Sequence, residues 1–579
     1  MKKAKTLVFL LLAFTLILSA CQLDPTDNTS NDGATLDPTS MALSEQLYPG
    51  EEETVTSEDE APKWWNEVVF YEIFVRSFKD SDGDGIGDFQ GIISMLDYLN
   101  DGDLETTDDL GIGGIWLMPI MPSPSYHGYD VTNYQSVNPD YGTMADFKEL
   151  LDECHKRGIR VVIDFVINHT SNQHPWFVQS QDPNSSFRDW YVWESTNPGK
   201  PGPWGQNAWY EKDGAWYYAP FWSGMPDLNY NHPMVSKAIY SATKFWLDLG
   251  VDGFRVDAAR YLFEDGVSQQ DTKSSIAWFQ DWRDYYLSIN PEAYTVGEVW
   301  TDTQVIAKYD QPTKGMQNYF MFDLATDILG GLYSPDPARI MASYMNSLTY
   351  FPDQQFATFL SNHDQQRVAS YFSDKLDRQK LAAFLYLTGP GVPYLYYGEE
   401  IGMLGNKPDE KIRTPMQWSN DAQAGFSAGD PWQEINPDWE TKNVQVQEAD
   451  PDSLLNWYRG LINLRNKYLG LQYGNYIPIT VNNECRRVYG VVRELGAETY
   501  IIIANLGVQR LEGCTFSYEP SRRIVTETPP FFDTIIWGEG SYSHQYSEDP
   551  NAPNTFTIPD GLDGGETLII EISNLRKKR

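Results

Sequence analysis

A chain of 579 residues, 41% hydrophobic and 21% charged, has the composition of an ordinary soluble globular protein and is long enough for several domains around a large core. Its 43 basic and 81 acidic residues give a formal net charge of -38, a field that repels nucleic acid and anionic lipid and argues against phosphate-backbone binding. Aromatic residues make up 14%, with 19 Trp and 36 Tyr, and their outlets are the core or stacking on the apolar faces of sugar rings.

The chain begins with Met1-Lys2-Lys3-Ala4-Lys5, continues as an apolar run from Leu7 to Leu18, and closes on Leu18-Ser19-Ala20-Cys21. A basic start, a short apolar run and small residues before a break mark an export signal over 1–21, and the run is shorter than the roughly 20 residues a spanning helix needs. LSAC resembles the bacterial lipobox, which implies a lipidated Cys21 holding the protein to a cell membrane, with plain secretion as the alternative. Residues 22–62 are rich in Asp, Asn, Thr, Ser, Glu and Pro. They bury too little apolar surface to offset their ordering entropy and read as a flexible acidic linker. Cys154, Cys485 and Cys514 then remain, too few for a disulfide framework but leaving room for one Cys485–Cys514 bridge.

From Trp64 onward, short apolar runs alternate with helix-period segments. The expected strands are Val68–Phe74, Gly114–Met118, Arg160–Phe165, Gly253–Val256, Tyr294–Val299, Tyr319–Phe322, Phe356–Leu360 and Pro393–Tyr397. Eight such runs separated by helices predict an α/β fold, a closed (β/α)8 TIM barrel, over 63–169 and 232–475. An open doubly wound sheet fits less well, because no Gly-rich phosphate loop follows the first strand. Between the third and fourth strands, 170–231 is far longer than an ordinary loop and carries Trp176, Trp190, Trp193, Trp204, Trp209, Trp216 and Trp222. It reads as an irregular inserted subdomain over the active face, most of its aromatics forming its own core. Residues 476–579 lose the helical pattern, and Ile477–Val481, Val488–Val492, Tyr500–Ala504 and Thr567–Ile572 predict a C-terminal β-sandwich, with 522–554 unassigned.

Placed on that barrel, acidic residues gather at the C-terminal strand ends, where barrel enzymes keep their chemistry. Asp164, Asn168 and His169 close the third strand in DFVINH. Asp257 closes the fourth in GFRVDAAR, Glu298 the fifth in GEVW, and His363 and Asp364 the seventh in SNHD. Arg255 lies two residues before Asp257 and so points to the same strand face. As an isolated pair this is a structural salt bridge; with carboxylates on neighbouring strand ends it becomes a way of holding Asp257 ionised.

DFVINH (164–169), MPDLN (225–229), GFRVDAAR (253–260), GEVW (297–300) and SNHD (361–364) resemble the α-amylase family of retaining glycoside hydrolases, from about Trp64 to the C-terminus. The resemblance implies Asp257 as nucleophile, Glu298 as general acid/base and Asp364 as the third carboxylate, which binds sugar hydroxyls. It places Tyr129 and Asp130 of HGYD (127–130), His169, Arg255, Arg260 and His363 in the substrate-binding set. The chemistry agrees: cleavage through an oxocarbenium-like state needs one ionised carboxylate below the ring and one protonated carboxyl beside the leaving oxygen.

The run Asp80-Ser81-Asp82-Gly83-Asp84-Gly85-Ile86-Gly87-Asp88 alternates oxygen donors with glycines, as a hard cation requires. It opens like an EF-hand, but loop position twelve is Gly91, which argues against a calcium switch. The resemblance implies a structural Ca2+ held by the carboxylates of Asp80, Asp82, Asp84 and Asp88 and the carbonyl of Ile86, and a different calcium site involving Asn168.

RTPMQW (413–418) resembles the α-glucosidase and oligo-1,6-glucosidase branch, whereas MPDLN resembles neopullulanases and intermediate amylases. Ala258 after the nucleophile and Val299 after the acid resemble α-1,4-acting members. The expectation is an endo-acting hydrolase of α-1,4-glucosidic bonds in starch and maltooligosaccharides, working as a monomer. An exo-acting α-glucosidase, a neopullulanase and a transglycosylase share the same motifs, and a surface glycan-binding lipoprotein without catalysis is the alternative of another class.

Overall fold

The computed structural model describes residues 63–579 apart from Leu104, Gly266, Ala497, 519–530, 546–553 and 575–579. The export signal, Cys21 and the acidic linker lie outside the described residues. Among those described, no helix is long and apolar enough to cross a membrane.

Strands β1 (Phe70–Ile73), β2 (Gly114–Leu117) and β3 (Arg160–Phe165) come first. Three short strands of the insertion follow: β4 (Trp193–Glu194), β5 (Trp209–Lys212) and β6 (Ala215–Tyr218). The series resumes with β7 (Gly253–Val256), β8 (Tyr294–Gly297), β9 (Asn318–Tyr319), β10 (Ala357–Thr358) and β11 (Val392–Tyr396). The eight strands outside the insertion form one parallel sheet in the order β10-β11-β1-β2-β3-β7-β8-β9. A parallel bridge from Phe320 to Ala357 joins its two edges and closes the barrel.

Each strand is buried on both faces, as parallel sheets are. Alternation then sorts the side chains. Phe70, Trp116, Val162, Tyr294, Val296 and Tyr394 form the inner cluster, with Phe70 stacked on Tyr394 at 4.6 Å, while Tyr71, Ile115, Val161, Ile163, Phe254 and Val256 pack in the outer one. Glu72 and Asp164, two residues beyond Phe70 and Val162, therefore share the inward face at the upper end of the strands. The helix Pro233–Leu249 feeds β7: His232 caps its start, and Gly250 ends it in the left-handed conformation at φ 111°. Gly253 is required where β7 meets β8, because a Cβ there would lie 1.9 Å from the Tyr294 carbonyl oxygen.

The strand ends differ from expectation. β9 stops at Tyr319 because a helix, Phe322–Tyr333, starts where the strand was expected to end. The insertion is less irregular than expected, since β4, β6 and β5 form an antiparallel sheet. Its Trp190 and Trp209 are buried, as an internal core demands, but Trp204 and Trp222 are more than half exposed.

The C-terminal region comprises β12 (Asn475–Pro478), β13 (Thr480–Val481), β14 (Val488–Leu495), β15 (Glu498–Asn505), β16 (Cys514–Tyr518), β17 (Phe531–Trp537), β18 (Ser543–Gln545), β19 (Asn554–Ile558) and β20 (Thr567–Asn574). Sheets β12-β14-β15-β20-β17 and β13-β16-β19-β18 are antiparallel and enclose a core with Val492, Ile501, Ile503, Phe516 and Phe556. The single strand expected over Ile477–Val481 is two, because the chain changes sheets after Pro478. Cys485 and Cys514 are joined in a disulfide, and Cys154 is free and buried.

One wholly buried guanidinium, Arg493, ties this region to the barrel, and a second, Arg465, lies within the barrel segment and braces the same loop. Arg493 on β14 donates to the carbonyls of Thr388 (2.9 Å) and Gly474 (3.0 Å). Arg465 donates to those of Leu387 (2.8 Å), Gly389 (2.9 Å) and Gly391 (2.7 Å). Burial lowers both, Arg465 to about 9 and Arg493 to about 10.

Candidate active site

The parallel register sets Asp164 directly beside Arg255, and Arg255 beside Val296. Arg255 is 1% exposed and becomes the hub of the mouth. Its Nη1 lies 2.8 Å from Asp257 and 3.0 Å from Asp164, and its Nη2 lies 3.0 Å from Glu298. The indole of Trp116 forms a floor 5.0 Å beneath the cation and donates to Asp164 at 3.3 Å. Ala258 holds the left-handed conformation at φ 50°, and its amide donates to Glu298 at 3.1 Å.

Electrostatics separate the carboxyls. Burial raises Asp257 to about 6; Arg255 opposes the shift, and the neighbouring Asp164 and Asp364 reinforce it. Burial, with Asp257 and Asp364, also raises Glu298, again against Arg255. For Asp364 burial is overcome, and His363 and Arg413 hold it well below the usual carboxylate range. One group is therefore firmly ionised, while the other two titrate closer to neutrality, the separation acid/base chemistry needs.

His363 places Nε2 2.7 Å from the Tyr129 hydroxyl and 3.2 Å from Asp364, and Nδ1 2.6 Å from Glu72. Tyr129 donates on to Asp164 at 3.0 Å. Arg413, quoted above only as part of a branch marker, donates to Asp364 and to the His363 carbonyl, both at 2.9 Å. A basic residue some fifty positions from its partner leaves no local signal.

Other expected residues stand further off. The Asp130 carboxylate accepts from Ser123 at 2.5 Å and from Ser125, and its side chain braces the loop rather than joining the carboxylate cluster. Arg260 is bound to Asp271 through Nε and Nη2 and to the Trp300 carbonyl through Nη1. His169 meets the Tyr129 carbonyl at 3.1 Å, and burial lowers it to about 4. Around the mouth, Trp204 and Phe221 pack on Tyr261, Phe221 lies 5.2 Å from His169, and the half-exposed Trp300 stacks on Phe322 at 4.7 Å.

In the acidic loop, carboxylate oxygens of Asp80, Asp82 and Asp88 lie within 4.8 Å of one another. Asp84 is not in that group; its Oδ1 accepts from the Ile86 amide at 2.8 Å. Ser427 donates to Asp80 at 2.5 Å and ties the loop to a distant segment. Near β3, Asn168 donates to Asp227 at 3.0 Å, leaving Asn168 Oδ1 and Asp227 Oδ2 buried without a hydrogen-bond partner. Asp227, the acidic residue of MPDLN, was quoted above without a role, since nothing in the sequence sets it against Asn168.

The α-amylase catalytic domain family matches residues 72–474. The chain belongs to the α-amylase family. It is 40% identical to "Alpha-amylase 3" of Dictyoglomus thermophilum over 463 residues, covering 79% of this chain and 87% of that protein. To the "Oligo-1,6-glucosidase" of Parageobacillus thermoglucosidasius it is 35% identical over 519 residues, covering 76% and 90%. Among solved structures, the α-amylase from H. orenii superposes with a TM-score of 0.74 at 37% identity, covering 87% of this chain and 99% of that one. The chain is thus an enzyme, a glycoside hydrolase of the α-amylase family, built on the expected (β/α)8 barrel with a C-terminal β domain.

Proposed function

We propose that this enzyme is an endo-acting hydrolase of α-1,4-glucosidic bonds in starch and maltooligosaccharides, working by double displacement with retention. The observation that carries the reading is the sharing of one guanidinium by Asp257 and Glu298 at the barrel mouth, with Asp364 on the neighbouring histidine. The ionised Asp257 attacks the anomeric carbon as Glu298 protonates the departing glycosidic oxygen. Glu298, now a carboxylate, then takes a proton from water, whose oxygen displaces Asp257 from the sugar. Asp364, His363 and Tyr129 hold the ring hydroxyls; Arg260 and Asp130 act by fixing the loops around them. Exposed aromatic faces at Trp204, Phe221 and Trp300 on the rim favour a chain of several sugars over one small glucoside.

Calcium is part of the same proposal. Asp80, Asp82 and Asp88 form a clustered all-oxygen donor set suited to Ca2+, to which the Ile86 carbonyl would add, while Asp84 orders the loop from within. Burial works to raise Asp80, yet Ser427 and the amides of Gly83, Gly85 and Asp82 hold it below the usual range, ready to bind as an anion. Asn168 and Asp227 offer two unpartnered buried oxygens to a second ion. Such ions would stiffen the loops after β1 and β3. The enzyme would be tethered outside the cell through Cys21, a reading that rests on the sequence and is checked by lipid labelling of the wild type against C21S.

Product analysis on amylose with blocked reducing ends, alongside pullulan and isomaltose, tests the specificity. Maltooligosaccharides of mixed length with retained anomeric configuration are expected from amylose. Steady release of glucose alone would replace the endo reading with an exo-acting α-glucosidase, and rapid cleavage of isomaltose would assign the enzyme to α-1,6 bonds.

A further inference from the structure

Glu72 has no part in the chemistry above. It sits on β1, faces the barrel interior and is 2% exposed. Its Oε1 lies 2.6 Å from Nδ1 of His363, itself 1% exposed. The other ring nitrogen, Nε2, lies 3.2 Å from Oδ2 of Asp364 and 2.7 Å from the Tyr129 oxygen. Because the Tyr129 hydroxyl donates its proton to Asp164, it turns a lone pair toward His363. Acceptors therefore stand at both ring nitrogens: Glu72 at Nδ1, and Asp364 and Tyr129 at Nε2. A neutral imidazole carries one N–H and would leave a lone pair facing an anion on one side. Facing carboxylates on both sides, only a doubly protonated ring donates to both.

We propose that Glu72 is a positioning residue of the catalytic site, holding His363 as an imidazolium whose Nε2–H is directed at Asp364 and the sugar. The assignment rests on the glycoside-hydrolase mechanism stated above. Every element packed on the ring agrees with it: Glu72 comes from β1, Trp116 from β2 with its ring edge-on at 5.6 Å, Tyr129 from the loop after β2, and Asp364 from the loop after β10. Arg413, the nearby cation, contacts the His363 carbonyl and Asp364 rather than the ring. Burial alone would discharge the histidine, but Asp364 and Glu72 outweigh it and raise the ring to about 9. A cation there keeps Asp364 ionised at neutral pH and supplies a charged donor to a sugar hydroxyl. The nucleophile is reached from Glu72 by an unbroken path through His363, Tyr129, Asp164 and Arg255.

Glu72→Gln separates charge from shape, since its amide oxygen still accepts from Nδ1 while the counter-charge is gone; Glu72→Leu removes both. Full-length wild type and variants are assayed for kcat and KM against pH on a chromogenic maltooligosaccharide. In Glu72→Gln the alkaline limb is expected to move about two pH units to lower pH, with kcat at pH 8 reduced about tenfold and the thermal midpoint little changed. Glu72→Leu loses more activity than Glu72→Gln at every pH. In parallel, the ring is titrated in wild-type protein carrying 13C-labelled histidine, its signal assigned by loss in His363→Asn. An imidazolium persisting at pH 8 supports the proposal. A neutral His363 at pH 7, or a folded Glu72→Gln with the wild-type pH profile, overturns it. If Glu72→Gln does not fold, the wild-type titration decides. Should the wild type cleave no α-glucan, the functional reading fails, while the titration still decides the Glu72–His363 pair.

Discussion

Nη2 of Arg255 lies 3.0 Å from Oε2 of Glu298, so the cation beside the proposed nucleophile also touches the proposed general acid. The sequence implied only the first contact. Arg255 lowers both carboxyls, and burial wins against it at each. Replacing it with lysine leaves a point charge that cannot span Asp164, Asp257 and Glu298 together. Arg255→Lys is expected to lower kcat by about 100-fold or more. A lysine charge no longer shared among the three leaves Asp257 less stabilised as an anion, so the acid limb of the kcat/KM profile moves to higher pH. A profile displaced to lower pH would contradict this balance of effects.

The wild-type pH dependence follows from Asp257. Raised to about 6, it is ionised above that value and protonated below. Activity is therefore expected to fall as pH drops through about 6, and the limb is read from kcat/KM, which reports the free enzyme.

Glu298→Gln keeps the size of the side chain and removes its proton. Turnover on a glucan with a poor leaving group is expected to fall by about 100-fold to 10,000-fold, the range general acid–base catalysis supplies. Binding of a maltooligosaccharide, measured by calorimetry, is expected to survive. Unchanged turnover would move the acid role elsewhere in the mouth.

If the acidic loop holds Ca2+, chelation lowers the thermal midpoint of the wild type, and Asp80→Asn abolishes most of that sensitivity. Metal analysis of the purified protein after dialysis supplies the count of ions. Equal midpoints with and without chelator would remove the proposed loop site.

The disulfide between Cys485 and Cys514 closes a loop with a sequence separation of 29. In the chain-entropy account such a closure is worth about 3–4 kcal/mol. Replacing both cysteines with serine is expected to lower the denaturation midpoint of the C-terminal region without changing kcat, as followed by urea titration.

All eight barrel strands were legible because parallel strands buried on both faces are apolar runs bounded by turns, and Arg160–Phe165 and Gly253–Val256 match to the residue. The gathering of Asp257, Glu298 and Asp364 at one mouth was legible because the resemblance rests on short segments around each. What escaped was pairing between distant segments. Glu72 lies inside an expected strand with no signal of its own; Arg413 and Asp227 met their partners only in the folded chain. Asp130 and Asp84 show the converse: a charged residue inside a signature can bind its own neighbours, as Ser123 and the Ile86 amide do here. The sheet change after Pro478 depends on which face of the sandwich each strand covers, and periodicity over five residues carries no such information.

Gln354 and Thr388, the groups gripped by Arg493 of the C-terminal region, precede β10 and β11 and so lie at the foot of the barrel, away from its mouth. Foundation and entrance are on opposite ends. Whatever occupies the open end can press against it without displacing the C-terminal sandwich. A chain cut back to the barrel alone would lose a pillar rather than a lid, and its activity would fail through collapse from below, with every residue of the mouth still in place.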